Sequence, residues 1–586
     1  MAIPYESESD LLKFLDKLDD EARPQREKLS KTFAENIEID RGNTWKGKSS
    51  PMFTNNVIAS AIEDKIGKLS ESRPEISVLP VVNGLGKSAE LLTKVCSSIW
   101  DSRRLEYKTE RLALFGILSG VGFMGTPYNR DMCNGNGDVD IVIKDPRDCS
   151  VDISVCAAED TDRGEYVTME DFIPLDVIRA EYPGRGALVT ASERLIGYDG
   201  IKDENTASRI RGAYTRLVKG KESEKRSAIP KAIIREYYIQ DRRKSMDDLG
   251  VVPIVDGLTK PADDGGIPFP GGRRILRAGK VILADSYNPY WDGAYPIDMM
   301  SWKLDVESAW GPDEVQGVKR MQEAVNRIGD AYAKTTAMNA VTRVIMETNA
   351  LSPSERNKLS NEVAQIIETA PGRKFEYQVP PPLPPDTINF VTTLMGWMRE
   401  NLGVQRSPMQ KDIPSIVTGP AIEGLQMSLE TPIRTASRRV EELYSRIGKK
   451  LISRIFQFYV SDRIMHMVGP DAKWMQFEFQ RMQILTNAKG KPRSQEDIRA
   501  AWRDYDFCIS PGSSLAITKT TRAMMYQQLA QLGWIHPREV LIQLGIQNAD
   551  EKLKEALQAK EMGLIAGHDT QASVPSIASM KSSMAA

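Results

Sequence analysis

The sequence predicts an α+β protein with a long-helical middle, and three observations predict it. Short β-branched and alternating runs, bounded by Gly and Pro, alternate with amphipathic helices through roughly the first 300 residues. From Gly311 onward the apolar residues recur at intervals of three and four, the spacing of one apolar stripe on a long helix. Between two such stripes lies Pro380-Pro381-Pro382-Leu383-Pro384-Pro385, a stiff extended connector.

Composition narrows the class. At about 100–200 residues per domain, 586 residues allow roughly three to five structural units. Hydrophobic residues at 41% and charged residues at 27% suffice for sizeable cores. With 78 basic and 80 acidic residues the net charge is −2, which argues against a protein that grips nucleic acid over most of its surface but leaves room for a local strip. The five cysteines (Cys96, Cys133, Cys149, Cys156, Cys508) are odd in number and lack CxxC spacing, so a reducing compartment is expected. His466, His536 and His568 are scattered with no cysteine nearby, which argues against a zinc site. The N-terminus MAIPYESESD has neither basic nor apolar leader regions, and no apolar run approaches the ~18 residues of a bilayer span. A chain made and kept in cytoplasm-like solvent, with no membrane partner, is the expectation.

The elements follow in order. Ser9 can cap a helix over 9–40 on which Leu11, Leu15, Leu18 and Ala22 are spaced for one face. A second helix runs from Asn55 to Leu69, before Arg73-Pro74. A strand Glu75–Leu79, a helix from Ser88 to Tyr107 and another over 108–119 come next. Gly120 to Gly125 reads as a glycine-rich turn, and Asp138–Ile143 as a strand ending at Asp145-Pro146. Residues 199–226 are polar and read as a mobile surface loop. Ile233–Ile239 is a strand; Arg274–Arg277 and Lys280–Leu283 form a hairpin about Ala278-Gly279.

The middle is helical. One helix spans Gly311 to about Asn339, with Pro312 in its first turn and a stripe of Val318, Met321, Val325, Ile328 and Tyr332. A small αβ insert follows: strand Val341–Met346, helix Ser354–Glu368, strand Lys374–Val379. Beyond the prolines a second helix carries Ile388, Val391, Met395, Met398 and Leu402 and stops at Gly403. Pro408, Pro414 and Pro420 punctuate a loop over 405–430. A basic helix over 432–459 buries Val440, Leu443, Ile447, Leu451 and Ile455. Three short helices end the chain, with Gly533 and Gly545 closing two and Asn548-x-x-Glu551 capping the third; residues from about 568 on are small and polar and read as disordered.

Motifs that invite an enzyme lack their context. Gly42-Asn-Thr-Trp-Lys-Gly47-Lys48-Ser49 satisfies the P-loop pattern, but such a loop needs a strand before it and a helix starting at Lys48. The upstream residues read as helix, and Ser50-Pro51 follows. Gly86-Lys87-Ser88 lacks the first glycine, with Val81 in its place. Gly120-Val-Gly122-Phe-Met-Gly125 matches GxGxxG but follows a helix, not a strand. Asp138, Asp140, Asp145 and Asp148 could suggest a metal cluster; alternating charge on a strand is more simply its solvent side. No catalytic residue, metal or cofactor is expected. The alternatives are a P-loop nucleotide hydrolase using Gly42–Ser49 and a non-viral helical scaffold.

The order of elements over 311–460 resembles the stem, clip, stem, channel loop and wing helix of the portal proteins (head-to-tail connectors) of tailed bacteriophages. Local runs resemble that family as well: Asn55-Asn56-Val57 leading to Leu69-Ser-Glu-Ser-Arg73-Pro74, Gly120-Val-Gly122 before Asp138–Asp145-Pro146, Thr418-Gly419-Pro420-Ala421-Ile422, and Asp506–Ser514. The resemblance covers nearly the whole chain, and its specificity lies in the order of these runs.

It implies a portal-type fold: an α/β wing over 1–310, stem helix 1 over 311–340, a small αβ clip over 341–384, stem helix 2 over 385–404, a channel (tunnel) loop over 405–430, the long wing helix and remaining wing over 431–510, and a short helical crown with a flexible tail over 511–586. It also implies a homododecamer at one capsid vertex of the virion, assembled in the host cytoplasm. That ring would pass double-stranded DNA non-specifically during packaging and ejection. It would receive the terminase large subunit, then head-tail adaptor or tail proteins, beside major capsid and scaffolding proteins.

Charge bears on the channel. A conduit should not hold phosphate tightly, since each neutralised phosphate adds affinity. On the first long helix Lys319, Arg320, Arg327 and Lys334 balance Asp313, Glu314, Glu323 and Asp330. Arg320, Arg327 and Lys334 recur every seven residues and so share a face. These three, with Arg406 and Lys411 in the loop, are the DNA-channel candidates; solvated or subunit-pairing charge is the plainer alternative. Between 405 and 454 nine basic residues face five acidic ones, and Arg434, Arg438 and Arg439 are expected to pair with Glu430, Glu441 and Glu442 at helical spacing.

Overall fold

The computed structural model describes residues 8–43, 53–70, 74, 76–191, 230–240, 254–255, 258–259, 271–340, 343–347, 353, 371, 375–378, 386–404, 431–468, 474–509 and, within 526–540, residues 526–527, 529–530, 532, 534–535 and 540. It is mixed helix and strand, an α+β chain. It divides into two compact units: Met1–Arg463 with Glu478–Leu515, and Ile464–Phe477 with Ala516–Ala586.

The first unit begins with helices α1 (Glu8–Asp40) and α2 (Val57–Ser70), strand β1 (Ile76–Pro80), and helices α3 (Gly86–Ser102) and α4 (Leu105–Ser119). The break between α3 and α4 falls a few residues before the expected one, because Arg104 takes a left-handed conformation at φ 50°. Strands β2 (Val121–Gly125), β3 (Tyr128–Asn129), β4 (Asp138–Val139), β5 (Val142–Lys144), β6 (Cys149–Val151) and β7 (Tyr166–Pro174) follow. Helix α5 (Leu175–Glu181) precedes β8 (Lys231–Ile239), β9 (Ile254–Val255), β10 (Leu258–Thr259), β11 (Arg273–Ala278), β12 (Val281–Tyr287) and β13 (Ile297–Ser301).

Helix α6 (Val315–Ala340) is the first long helix of the middle, and β14 (Arg343–Met346) pairs antiparallel with β15 (Phe375–Gln378) beyond it. Helices α7 (Asp386–Asn401) and α8 (Thr431–Phe458) follow, then β16 (Arg463–Val468), β17 (Trp474–Phe479), α9 (Arg481–Leu485), α10 (Gln495–Ala500) and β18 (Tyr505–Ile509). The second unit holds most of the β16–β17 strand pair. The loop expected over 199–226, the insert helix 354–368, the channel loop 405–430 and the capping box at Asn548 lie outside the described residues.

Five antiparallel strands in the order β12-β11-β8-β7-β6 make the main sheet. Strand alternation sends Tyr237, Ile239, Ile275 and Ile282 to one face, where Leu11 and Leu15 of α1 cover them. Ala232, Ile234, Leu276 and Leu283 face the other way, onto Leu175 and Ile178 of α5. A second sheet, β13-β2-β5, shares a core with the first through Val121, Phe123, Ile297 and Met299 beside Val167 and Met169.

Two sequence expectations need correction. Gly120–Gly125 is not a turn: only Gly120, at φ 86°, turns the chain out of α4, and Val121–Gly125 is the central, fully buried strand of the second sheet. Its glycines are close-approach sites, since a Cβ on Gly122 would lie 2.6 Å from Leu112 Cδ1. Nor are the aspartates after it a solvent face. Asp138 is 5% exposed; it accepts hydrogen bonds from Arg103 and the Tyr459 hydroxyl. Asp140 lies 3.4 Å from Lys108, and Asp145 caps a turn at Arg147 N (3.0 Å) while holding its guanidinium at 2.6 Å. Ahead of Gly42 stands α1, not the strand that a P-loop requires; residues 44–49 lie outside the described residues.

Candidate functional site

The pair α6 and α7 is where the predicted site residues concentrate. At 26 residues α6 is roughly 39 Å long. It starts at Val315, four residues after the expected start, because Gly311 to Glu314 are held against α4. A Cβ on Gly120 would lie 2.0 Å from the Gly311 carbonyl oxygen, and Glu314 N donates to Ile117 O at 3.1 Å. Asp313, rather than Pro312, opens the helix, its carboxylate accepting from Gln316 N at 2.8 Å.

The first turns of α6 are tied down by polar side chains that an apolar-stripe reading misses. Gln316 Nε2 donates to Asn36 Oδ1 at 2.8 Å, and Lys319 reaches Glu35 at 2.7 Å, both on α1. Gln322 and Asn326 accept from the backbone N–H groups of Val57 (3.1 Å) and Asn55 (3.0 Å), and Gln322 Nε2 donates to Asn326 at 3.2 Å. Buried amides placed this way fix rotation as well as position. Further along, Gly329 leaves room for Phe53, whose ring would be 2.2 Å from a Cβ there.

The apolar stripes are graded along the helices. On α6, Val318 and Val325 are buried, Met321 and Ile328 half-buried, and Tyr332 is exposed. On α7, Met398 and Leu402 are buried, Val391 and Met395 half-buried, and Ile388 is exposed. Sequence spacing missed Leu394, which is buried and sits four residues before Met398. It also missed Phe390 and Trp397, each 49% exposed. α6 and α7 pack together, and the ends beyond Ile328 and before Val391 carry uncovered apolar surface.

At the base of the pair the chain is gathered by a buried amine. Lys65 Nζ donates to both carboxylate oxygens of Glu314 at 2.8 Å and to Leu402 O at 3.3 Å. It lies 5.6 Å from the centroid of the Trp302 ring. Burial draws Lys65 below its ordinary range even though Glu314 pulls it back up.

The basic candidates separate. Arg327 pairs with Glu323 at 3.4 Å and Lys334 with Asp330 at 2.5 Å, each across one helical turn. One turn before Arg320 stands Gln316, already bonded to Asn36. Arg320 is exposed and has no ion pair among the described residues. Arg406 and Lys411 lie outside the described residues.

The basic excess of α8 is absorbed by acids from other elements. Arg446 meets Glu442 (2.8 Å) and Asp298 (3.3 Å); Lys450 meets Asp162 and Asp298, both at 2.9 Å; Arg454 pairs with Asp292 over the Tyr290 ring. Arg439 does not pair with Glu441 or Glu442 as expected. It donates to the Trp302 carbonyl, and Glu442 serves Arg446. The spacing argument looked along one helix, whereas packing offered partners on strands.

With that geometry in place, the comparisons give one result. The family model described as phage P22-like portal protein matches residues 20–576. The chain belongs to this family. No curated protein matches it. Portal proteins are parts of the phage capsid and in general structural rather than enzymatic. In keeping with such a part, the aspartates over 138–145 hold cations of the same chain, and no described helix is long and apolar enough to cross a membrane.

Proposed function

We propose that this portal-family chain forms a dodecameric ring at one capsid vertex, with an axial channel for genome packaging and ejection. The single observation that carries the reading is the family match over 20–576. In it α6 and α7 are the stem, residues 341–384 the clip, 405–430 the channel loop, 431–510 the long helix and remaining wing, and 511–586 the crown. Wing residues also come from 1–310. The terminase motor docks at the clip during packaging, and head-tail adaptors dock there later; capsid and scaffolding proteins surround the rim.

Two features support the details. Exposed Tyr332, Ile388, Phe390 and Trp397 offer apolar area that a neighbouring subunit would cover. The charges of α6 are largely neutralised within the chain, leaving Arg320 as its least encumbered cation, which suits a wall past which DNA slides. The reading is tested by light scattering and negative-stain imaging of one purified peak. It expects a ring with a central hole and a mass of twelve times 65.5 kDa, about 790 kDa. A particle that stays monomeric at high concentration, without a hole, would refute it.

A further inference from the structure

The segment 315–402 leaves the body of the first unit and returns to it, and both of its ends meet one amine. It departs at Glu314 and comes back at Leu402, and Lys65 on α2 bonds both. A lysine ammonium has three donors. Two go to the Glu314 carboxylate and the third to the Leu402 carbonyl, so the group is fully satisfied. The side chains of Lys65 and Glu314 are only 4% and 6% exposed. Gly403 then turns the chain at φ 71°, with Pro432 at the head of α8 so close that a Cβ would lie 2.7 Å from it and 4.0 Å from Lys65 Nζ. Four elements therefore converge on one charge: α2, the start of α6, the end of α7 and the start of α8.

Glu314 also has a second cation. Lys303 Nζ lies 3.7 Å from it, on a side chain that is 42% exposed. The remaining nearby charge, Arg439, is committed to the Trp302 carbonyl.

We propose that Lys65 is a clamp that sets the position of the α6–α7 pair on the body, and that Lys303 is the alternative holder of Glu314 when the clamp opens. Closed, Lys65 joins the outgoing and returning strands of the segment. Open, Glu314 turns to Lys303 near solvent, and the Leu402 end is released. The clamp deepens the ring reading, on which it rests only for its consequence: in a ring it would fix the tilt of each stem. A buried ion pair is a poor source of net stability but a strong constraint on geometry, since removing one partner strands the other. The depressed proton affinity of Lys65 agrees with a pair held at some cost.

Hydrogen exchange read by mass spectrometry on the full chain tests the clamp. Lys65→Met should raise exchange in peptides covering 315–326 and 394–404 about tenfold or more, with β2 and β13 unchanged. Lys303→Ala added to Lys65→Met should speed 315–326 further. The double variant Lys65→Met/Glu314→Leu removes both charges together. It should return 315–326 toward wild-type exchange but leave 394–404 fast, because nothing then holds the Leu402 carbonyl. Wild-type protection of 394–404 in the double variant would overturn the clamp, and that variant decides the matter if Lys65→Met alone fails to fold. No effect of Lys303→Ala in the Lys65→Met background would overturn the handover. The mass of the same wild-type sample is recorded in parallel: absence of a ring would sink the portal reading, while the exchange comparison would still decide the clamp.

Discussion

Lys450 illustrates how single residues of this chain are committed. Burial pushes its proton affinity down, but the carboxylates of Asp162 and Asp298 outweigh that and hold it above the ordinary 10.5. A base whose proton is bound more tightly in the folded state adds stability below its unfolded value and loses it as pH rises past the folded one. This contribution should therefore be present at neutral pH and fade above about pH 10.5. Lys450→Met leaves Asp298, which is 0% exposed, without one of its cations. Urea unfolding should show a loss of about 3–5 kcal/mol at pH 7. The gap between wild type and variant should narrow in strongly alkaline buffer; an unchanged gap would refute the assignment. Arg320 gives a second prediction. If it alone of the α6 trio meets phosphate, Arg320→Ala should reduce the salt slope of DNA retention by about 0.9, and Arg327→Ala and Lys334→Ala by less. Equal effects from all three would point to a shared cationic face instead.

Elements obey a second set of rules, of close approach and of partial cover. Gly120 ends α4 in a conformation other residues rarely adopt, with the Gly311 carbonyl where a side chain would go. Gly120→Ala should destabilise the protein by on the order of 2–5 kcal/mol, from backbone strain and overpacking together, as thermal unfolding would show. Ile388 and Trp397 behave oppositely. Both are exposed, so Ile388→Asp and Trp397→Asp should change subunit stability by only about 0.5 kcal/mol. On the ring account, the same variants should lower the assembled fraction several-fold in light scattering.

At this scale the sequence was legible where periodicity was clean. The helices α1, α2, α6, α7 and α8 and the β11–β12 hairpin all stand near their expected places. Strands β7 and β13 were not, because each carries an acid at its centre: Glu170 and Asp298 break the apolar pattern, and only the fold supplies Arg26 and Arg235 to the one, Arg446 and Lys450 to the other. The polar ties of α6 were hidden for the same reason, since Gln316, Gln322 and Asn326 look like a solvent face until Asn36, Asn55 and Val57 are brought to them.

For the whole molecule, the governing fact is that charge is mostly settled within the chain. The near-zero balance of 78 basic and 80 acidic residues is matched locally, with α8 answered by Asp162, Asp292 and Asp298. Element order over 311–460 was enough to suggest the family that the match over 20–576 then showed. The DNA-facing residues were not legible to the same degree, because a seven-residue repeat of cations does not reveal which of them an acid one turn away has already engaged. The central claim is that these subunits wall a conduit with their long helices. Its most direct test is a cryo-electron microscopy map of the purified assembly, resolved well enough to trace helices. The account predicts a closed ring whose bore is lined by α6 and α7, with Arg320 toward the lumen and Trp397 at a subunit boundary. A bore lined instead by the β12-β11-β8-β7-β6 sheet, or an assembly with no bore, would contradict it.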